Sequence, residues 1–435
     1  MKINNIYYLY KGISCLAGLL GLPWFYGHLK SRGQGESFWP RLGFKVPRLP
    51  SEFGSPRVWI HGVSVGEILA AVPLVQEIKT LLPQAGLIIS TGTETGQALA
   101  RRHFDPLGAL VSYFPLDLPW AVRRYLGQLR PDLFIALESE IWPIFLVTAH
   151  QQGVRLALTN ARISDITFRR YLKYNRYLID IINLFEIITT GSIQDRVRLM
   201  SVGLPQEKLH FVGNLKIDRL EQSLNQDKLK EFKELLQVQN HPVFLAASTH
   251  PGEEETVLAS YQQLQGPYPS LLLLLAPRHP QRANQVGHLV SQSRLPYHLW
   301  SRLKSSQEIR LHPVVVIDTI GDLFTLYGLA DVPFVGGSIV PHGGQNILEP
   351  AAWGKAPLYG PHLTNFRWAQ DLLEEAGAGR LVADGAALTA AIKNLLDHPE
   401  IRRTLGAKAR DALAPHRGAA RRQAELIVRV VGGEG

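Results

Sequence analysis

The chain has 435 residues, 46% hydrophobic and 19% charged, with a net charge of +9. That size and apolar content bury a large core, which excludes a disordered tail and suggests two domains. The single cysteine, Cys15, excludes an intrachain disulfide and any all-cysteine metal site, while the positive charge allows an anionic partner without choosing among nucleotide, phosphorylated lipid and nucleic acid.

The first element in chain order is "INNIYYLYKGISCLAGLLGLPWFYGHLK". It is of borderline spanning length, since a span needs about 20 mainly apolar residues, and Lys11 and four glycines interrupt it. Aromatic residues, Lys11 and Lys30 flank its Leu/Gly centre, as expected of a membrane-associated segment over residues 1–32; a packed helix fits the same letters. No small-residue cleavage site marks it as a secretory signal. The connector "SRGQGESFWPRLGFKVPRLP" follows, rich in Gly, Pro and Arg, with basic residues suited to anionic headgroups.

From Arg57 the chain alternates short apolar runs with helical patterns. "RVWIHG", "AGLIISTG", "ALVSYFPLD", "PDLFIALESE" and "GVRLALTNAR" read as strands, "SVGEILAAVPLVQEIKTLL" and "LPWAVRRYLGQLR" as helices between them, and "IINLFEIITTG" and "LHFVGNLK" complete a first domain over 33–218. A linker over 219–241, with a helix in it, leads to a second domain over 242–400, with strands at "HPVFLAAST", "SLLLLLAPRHP", "VVVID", "ADVPFVGGS", "APLYG" and "AGRLVA". Residues 401–435 read as helix returning towards the first domain. This is the rhythm of parallel βαβ units, an α/β chain of two doubly wound domains, with ligands expected beyond the strands' carboxyl ends in a cleft between them.

Candidate site residues stand at those strand ends. In "HGVSVGE", Ser64 and Glu67 have the spacing of a capping box; the same helix start, with Gly66 permitting close approach, suits a negative oxygen. Thr91 in "STGTETG" offers a similar contact. Glu138 and Glu140 end a very apolar strand, where alternation sends at least one outward. Lys216, Arg278 and His279 follow other strands and suit phosphate or carboxylate, though Arg278 also suits a salt bridge and His279 a turn. "VPFVGGS" then runs into "PHGGQNILEPAAWG". There Gly343 and Gly344 allow backbone approach, and Asn346 and Glu349, three apart, share a helix face on which a carboxylate suits ribose hydroxyls. A nucleotide site is the favoured reading of this loop. Dinucleotide, Walker, zinc-protease and D-x-D motifs are missing, and so is the G-x-S-x-G spacing of a nucleophile elbow. Basic residues are dispersed among acidic ones, which speaks against nucleic acid.

Taken in order, "RLG", "HGVSVGE", "PLDLP", "ESEIWP", "GNLKID", "STHPGEEE", "PRHPQR" and "GGSIVPHGGQNILEPAAWGK" make the chain, from about Gly33 onward, resemble the 3-deoxy-D-manno-octulosonic acid (Kdo) transferases of lipid A assembly. The resemblance implies a GT-B fold and an inverting, metal-independent enzyme with no cofactor. It implies a CMP-Kdo donor, a phosphorylated glycolipid acceptor, and an amino-terminal anchor at the cytoplasmic face of the inner membrane. Carried onto this chain, Arg278, His279, Gly337, Ser338, Gly344, Asn346 and Glu349 would hold the nucleotide. Ser64, Gly66, Glu67, Thr91, Glu138, Glu140 and Lys216 would face the sugar or acceptor.

The family's general base is a glutamate just ahead of R-[LF]-G. Here Pro40 precedes Arg41, and the nearest carboxylate is Glu36, which is therefore the candidate base. Amides near Gly337 and Ser338, with Arg278, would stabilise departing CMP. A different CMP-linked acidic sugar, a nucleotide diphosphate sugar, or a weakly catalytic binding homologue are the alternatives.

Overall fold

The computed structural model describes residues 5–239 and 241–432, and within the helix Asp165–Ile182 the side chains of 173–178 fall outside that description. The first four residues of the expected membrane segment, one residue of the expected linker and the last three residues of the chain thus lie outside the described residues. Two compact units result, one from Met1–Arg219 with His416–Gly435, the other from Leu220–Pro415.

Unit 1 holds seven parallel strands in the order β3-β2-β1-β4-β5-β6-β7. They are β1 (Arg57–His61), β2 (Gly86–Thr91), β3 (Leu110–Tyr113), β4 (Leu133–Leu137), β5 (Arg155–Ala161), β6 (Ile187–Thr190) and β7 (Leu209–Phe211). β2 and β4 are buried at every position because helices cover both faces, so they read as continuous apolar runs without alternation. β1 lies between β2 and β4, and the winding direction reverses between β1 and β4. That reversal opens a crevice beyond the ends of these two strands.

Unit 2 repeats the plan with β8 (Val243–Thr249), β9 (Leu272–Pro277), β10 (Tyr297–Leu299), β11 (Val314–Val316), β12 (Val332–Val335), β13 (Leu358–Tyr359) and β14 (Arg380–Leu381). Their order is β10-β11-β9-β8-β12-β13-β14, so the reversal falls between β8 and β12. Two parallel sheets flanked by helices make a GT-B-like two-domain α/β fold.

The expected membrane segment is corrected. Residues Asn5–Ser31 form one helix, but no helix among the described residues is long and apolar enough to cross a membrane. Lys11, Pro23 and the glycines dilute its apolar character. Part of its surface instead packs into unit 1: Leu29 is buried with Phe38, Leu42, Leu118 and Ala121, and Tyr10 donates to Asp117 at 3.0 Å.

The domain limits also shift. The stretch expected as a linker carries the helix Gln226–Leu235, which belongs to unit 2 with Pro399–Leu413. Only Ala419–Gly432 joins unit 1, where Ala420, Ala424 and Ile427 are buried with Ile68, Ala71 and Leu74 of Val65–Leu81.

Candidate active site

In unit 1, Ser64 caps the helix Val65–Leu81. Its Oγ accepts from Glu67 N at 3.2 Å, while Glu67 Oε2 accepts from Val63 N at 2.7 Å and Ser64 N at 3.4 Å. Both residues are thus engaged in the capping box. The first turn remains exposed, and a Cβ on Gly66 would meet nothing closer than Ser64 Oγ at 3.8 Å. Burial, reinforced by the charges of Glu138 and Glu140, raises the Glu67 carboxyl above its ordinary range.

β4 ends at Leu137, and Glu138 takes a left-handed φ of 55°. Glu138 and Glu140 thus both lie beyond the strand, each half-buried. Glu138 pairs with Lys216, Oε1 to Nζ 2.5 Å, at the start of Leu215–Gln222. Glu140 accepts from Trp142 Nε1 at 2.9 Å and lies 3.7 Å from His61 Nε2. His61 is fully buried and stacked on Phe114, with Nδ1 3.1 Å from Ser90 O. Burial pushes its pKa down, against the pull of Glu140, and favours the neutral ring.

Thr91 is corrected to a structural role. It is fully buried, its hydroxyl donating to Thr93 O and accepting from Gln97 Nε2, both at 3.2 Å.

Glu36 sits exposed in the turn Gly35–Ser37. Its charge, with that of Glu94, adds to burial in raising the pKa of Tyr113 at the end of β3. Arg41 was missed as a site residue from sequence. Its Nε is buried without a partner among the described residues, and its guanidinium lies 5.7 Å from the Phe25 ring centroid. Burial lowers its pKa, with Tyr125 and Tyr113 opposing. The larger cavity of this unit, about 750 Å³, lies away from these groups, lined by Ser55, Asp132 and Arg155 at the amino ends of β1, β4 and β5.

In unit 2 the loops after β8, β9 and β12 converge. Arg278 and His279 are exposed at the end of β9, and the Arg278 guanidinium makes no hydrogen bond or ion pair with the described residues. His250 after β8 stacks on His342 at 4.3 Å and meets His279 edge-on at 6.3 Å. The His250 Nε2 is buried and unpartnered among the described residues. Burial, then the neighbouring His342 imidazole, lowers the His250 pKa. Sequence alone had not joined His342 to this group, although it stands within the glycine loop.

The amides assigned from sequence to the leaving phosphate are already engaged. Glu253, fully buried, accepts from Gly337 N at 2.6 Å and from Ser338 N, Ile339 N and His250 N at 3.0 Å each. The Ser338 hydroxyl donates to Val335 O at 2.5 Å and accepts from Gly360 N at 2.8 Å. A carboxylate inside the fold thus occupies the place expected of a ligand anion.

The loop glycines also serve packing. A Cβ on Gly343 would fall 2.4 Å from Asn365 Nδ2, and one on Gly344 would fall 2.2 Å from Leu363 Cδ2. Asn346 precedes the short helix Leu348–Ala352; its Oδ1 accepts from Leu348 N at 3.2 Å and its Nδ2 donates to Glu349 at 3.4 Å. Arg278, the three imidazoles and the half-buried Glu349 are the groups this face offers to a phosphorylated ligand. Among the described residues, no three His, Cys, Asp or Glu side chains are arranged to hold a metal ion.

Two doubly wound units, each with polar side chains at its winding reversal, give the chain a GT-B-like fold. The fold is similar to a UDP-GlcNAc 2-epimerase from Neisseria meningitidis, solved with UDP-GlcNAc: TM-score 0.60, 15% identity, covering 87% of this chain and 100% of that one. The family model for 3-deoxy-D-manno-octulosonic acid transferase (kdotransferase) matches residues 36–219. A 3-deoxy-D-manno-octulosonic acid transferase from Haemophilus influenzae is 34% identical over 375 residues, 85% of this chain and 86% of that one. Another, from Bordetella pertussis, is 33% identical over 435 residues, 96% of this chain and 98% of that one. The chain belongs to the 3-deoxy-D-manno-octulosonic acid transferase family and is a glycosyltransferase.

Proposed function

We infer that the protein transfers Kdo from CMP-Kdo to a phosphorylated lipid A precursor. The observation that carries this reading is family membership along nearly the whole chain. On this reading the lipid partner brings the protein to the cytoplasmic face of the inner membrane. The unpaired Arg278, with His279 and the His250–His342 stack, receives the nucleotide phosphate, and Glu349 receives the ribose. Because Glu253 occupies the Gly337 and Ser338 amides, leaving-group charge falls to side chains, chiefly Arg278.

The acceptor hydroxyl attacks the anomeric carbon. Its oxygen bonds to that carbon while the bond from carbon to phosphate oxygen breaks, and CMP leaves with the bonding pair. Glu36, exposed and free of hydrogen bonds among the described residues, takes the hydroxyl proton. The Lys216–Glu138 pair and the exposed turn at Gly66 orient the acidic sugar or acceptor. Prior fixing of both substrates removes much of the entropic barrier.

The test incubates the protein with CMP-Kdo and a tetra-acylated lipid A precursor without added divalent metal, and measures glycolipid and CMP by mass spectrometry. Both products are expected. Arg278→Ala should raise KM for CMP-Kdo roughly 30-fold, the size of a lost charge-assisted contact, and Glu36→Gln should lower kcat by about 10²-fold or more. Folded protein that yields neither product would overturn the reading. Full activity in Glu36→Gln would remove Glu36 from the mechanism.

A further inference from the structure

A second cavity of unit 1, about 300 Å³, opens beside Glu138, and apart from Glu138 none of its lining residues has a role in the transfer chemistry described above. Its floor includes Leu158, Ile163, Ile182 and Leu199, all buried. Its rim carries Glu138, Arg162 and Thr167. This volume is at the lower end of small-molecule pockets, which run from roughly 300 to 1,000 Å³.

The rim chemistry is asymmetric. Glu138 is neutralised by Lys216 at 2.5 Å, so it does not repel an anion as a bare carboxylate would. Arg162 is exposed, and its guanidinium has no hydrogen-bond or ion-pair partner among the described residues. Its backbone amide is directed at Glu138 O, 3.4 Å away, which fixes the residue at the end of β5 next to the end of β4. An apolar floor beneath one unpaired cation fits a phosphorylated amphiphile: the chain enters the cavity and the phosphate stays in water at Arg162.

We propose that this cavity binds an alkyl or acyl chain of a phosphorylated amphiphile, with Arg162 holding the phosphate at its mouth. Naming that amphiphile as the lipid acceptor rests on the function proposed above; the binding chemistry does not. Placed there, one chain would anchor the acceptor beside the Lys216–Glu138 pair.

The test titrates the full chain with hexyl, octyl and decyl phosphate below their micellar concentrations, by calorimetry. Each methylene removed from water strengthens binding about fourfold, so each two-carbon step should tighten Kd about 15-fold. Arg162→Ala should weaken all three ligands by a similar factor, about tenfold. Thr167→Trp, at a half-buried rim position, should remove the dependence on chain length. CMP affinity should stay unchanged in both variants.

Inorganic phosphate at equal concentration should fail to displace the alkyl phosphates. Equal affinity for the three chains, or displacement by inorganic phosphate, would overturn the proposal, and so would chain dependence surviving in Thr167→Trp. The series on the unaltered protein decides the matter if a variant misfolds. Chain-dependent binding without any Kdo transfer would remove the functional reading and leave the cavity standing. Kdo transfer without chain-dependent binding would do the reverse.

Discussion

The Glu253 carboxylate accepts four backbone amides, those of His250, Gly337, Ser338 and Ile339. From sequence, "GEEE" reads as a carboxylate-rich helix start, and Glu253 does open the helix Glu253–Gln265. Three of its partners, Gly337, Ser338 and Ile339, lie more than 80 residues away, in a loop whose amides invite an anion from solvent. Removing the carboxylate leaves buried donors unsatisfied, at about 1–3 kcal/mol each. Glu253→Ala is expected to destabilise unit 2 by about 4 kcal/mol, with Glu253→Gln in between because one acceptor oxygen survives. Hydrogen exchange of the peptide spanning 336–345 measures this directly, and unchanged protection in Glu253→Ala would show that the amides find other acceptors.

At the scale of elements, glycines in two turns carry different burdens. Gly344 has a φ of +74°, its amide donates to Gly337 O at 2.7 Å, and an added Cβ would run into the buried Leu363. Gly344→Ala therefore combines a left-handed backbone with a clash, and is expected to cost on the order of 2 kcal/mol and to weaken CMP binding. Gly66 sits in the first turn of Val65–Leu81 with open space beside it. Gly66→Ala should leave the melting temperature within a degree or two or raise it, since Gly costs helices about 1 kcal/mol relative to Ala, while activity falls if a ligand approaches that turn. Melting curves and transfer assays on the two variants separate packing from ligand approach; equal losses of stability would contradict the distinction.

The strands around both reversals were legible because each is a short and largely buried apolar run. β10 was not, having only three residues with His298 at its centre. The helix Asp165–Ile182 also escaped notice in "DITFRRYLKYNRYLIDII", although Ser164 and Thr167 mark its start, the Ser164 hydroxyl accepting from Thr167 N at 3.2 Å. Of the candidate site, residues next to strand ends were legible: Lys216, Glu138, Arg278. Arg41, Glu253 and His342 depend on contacts with distant segments, which no local pattern records.

At the scale of the whole molecule, the chain enters unit 2 after Arg219 and returns to unit 1 at His416. Unit 1 is therefore closed by polar contacts between segments about 200 residues apart. Asp218 accepts from Gly418 N at 2.6 Å and Ala420 N at 2.9 Å, and the Asn214 amide donates to His416 Nδ1 at 3.2 Å. That last bond requires a neutral imidazole acceptor at Nδ1. His416 is 6% exposed, and burial, with Arg422 nearby, lowers its pKa to about 4. In the unfolded chain the ring titrates near 6.5.

Between these values the unfolded state binds the proton and the folded state does not, so acid favours unfolding. The contribution, about 3 kcal/mol in all, is fully present above about pH 6.5 and is lost as pH falls to about 4. His416→Gln keeps an oxygen able to accept from Asn214 and has nothing to titrate. Thermal melts at pH 7.5 and pH 4.5 should therefore show a smaller loss of stability in His416→Gln than in the unaltered protein. Identical pH dependence in the two proteins would mean that His416 is protonated in the folded state and that the returning segment is held without its imidazole.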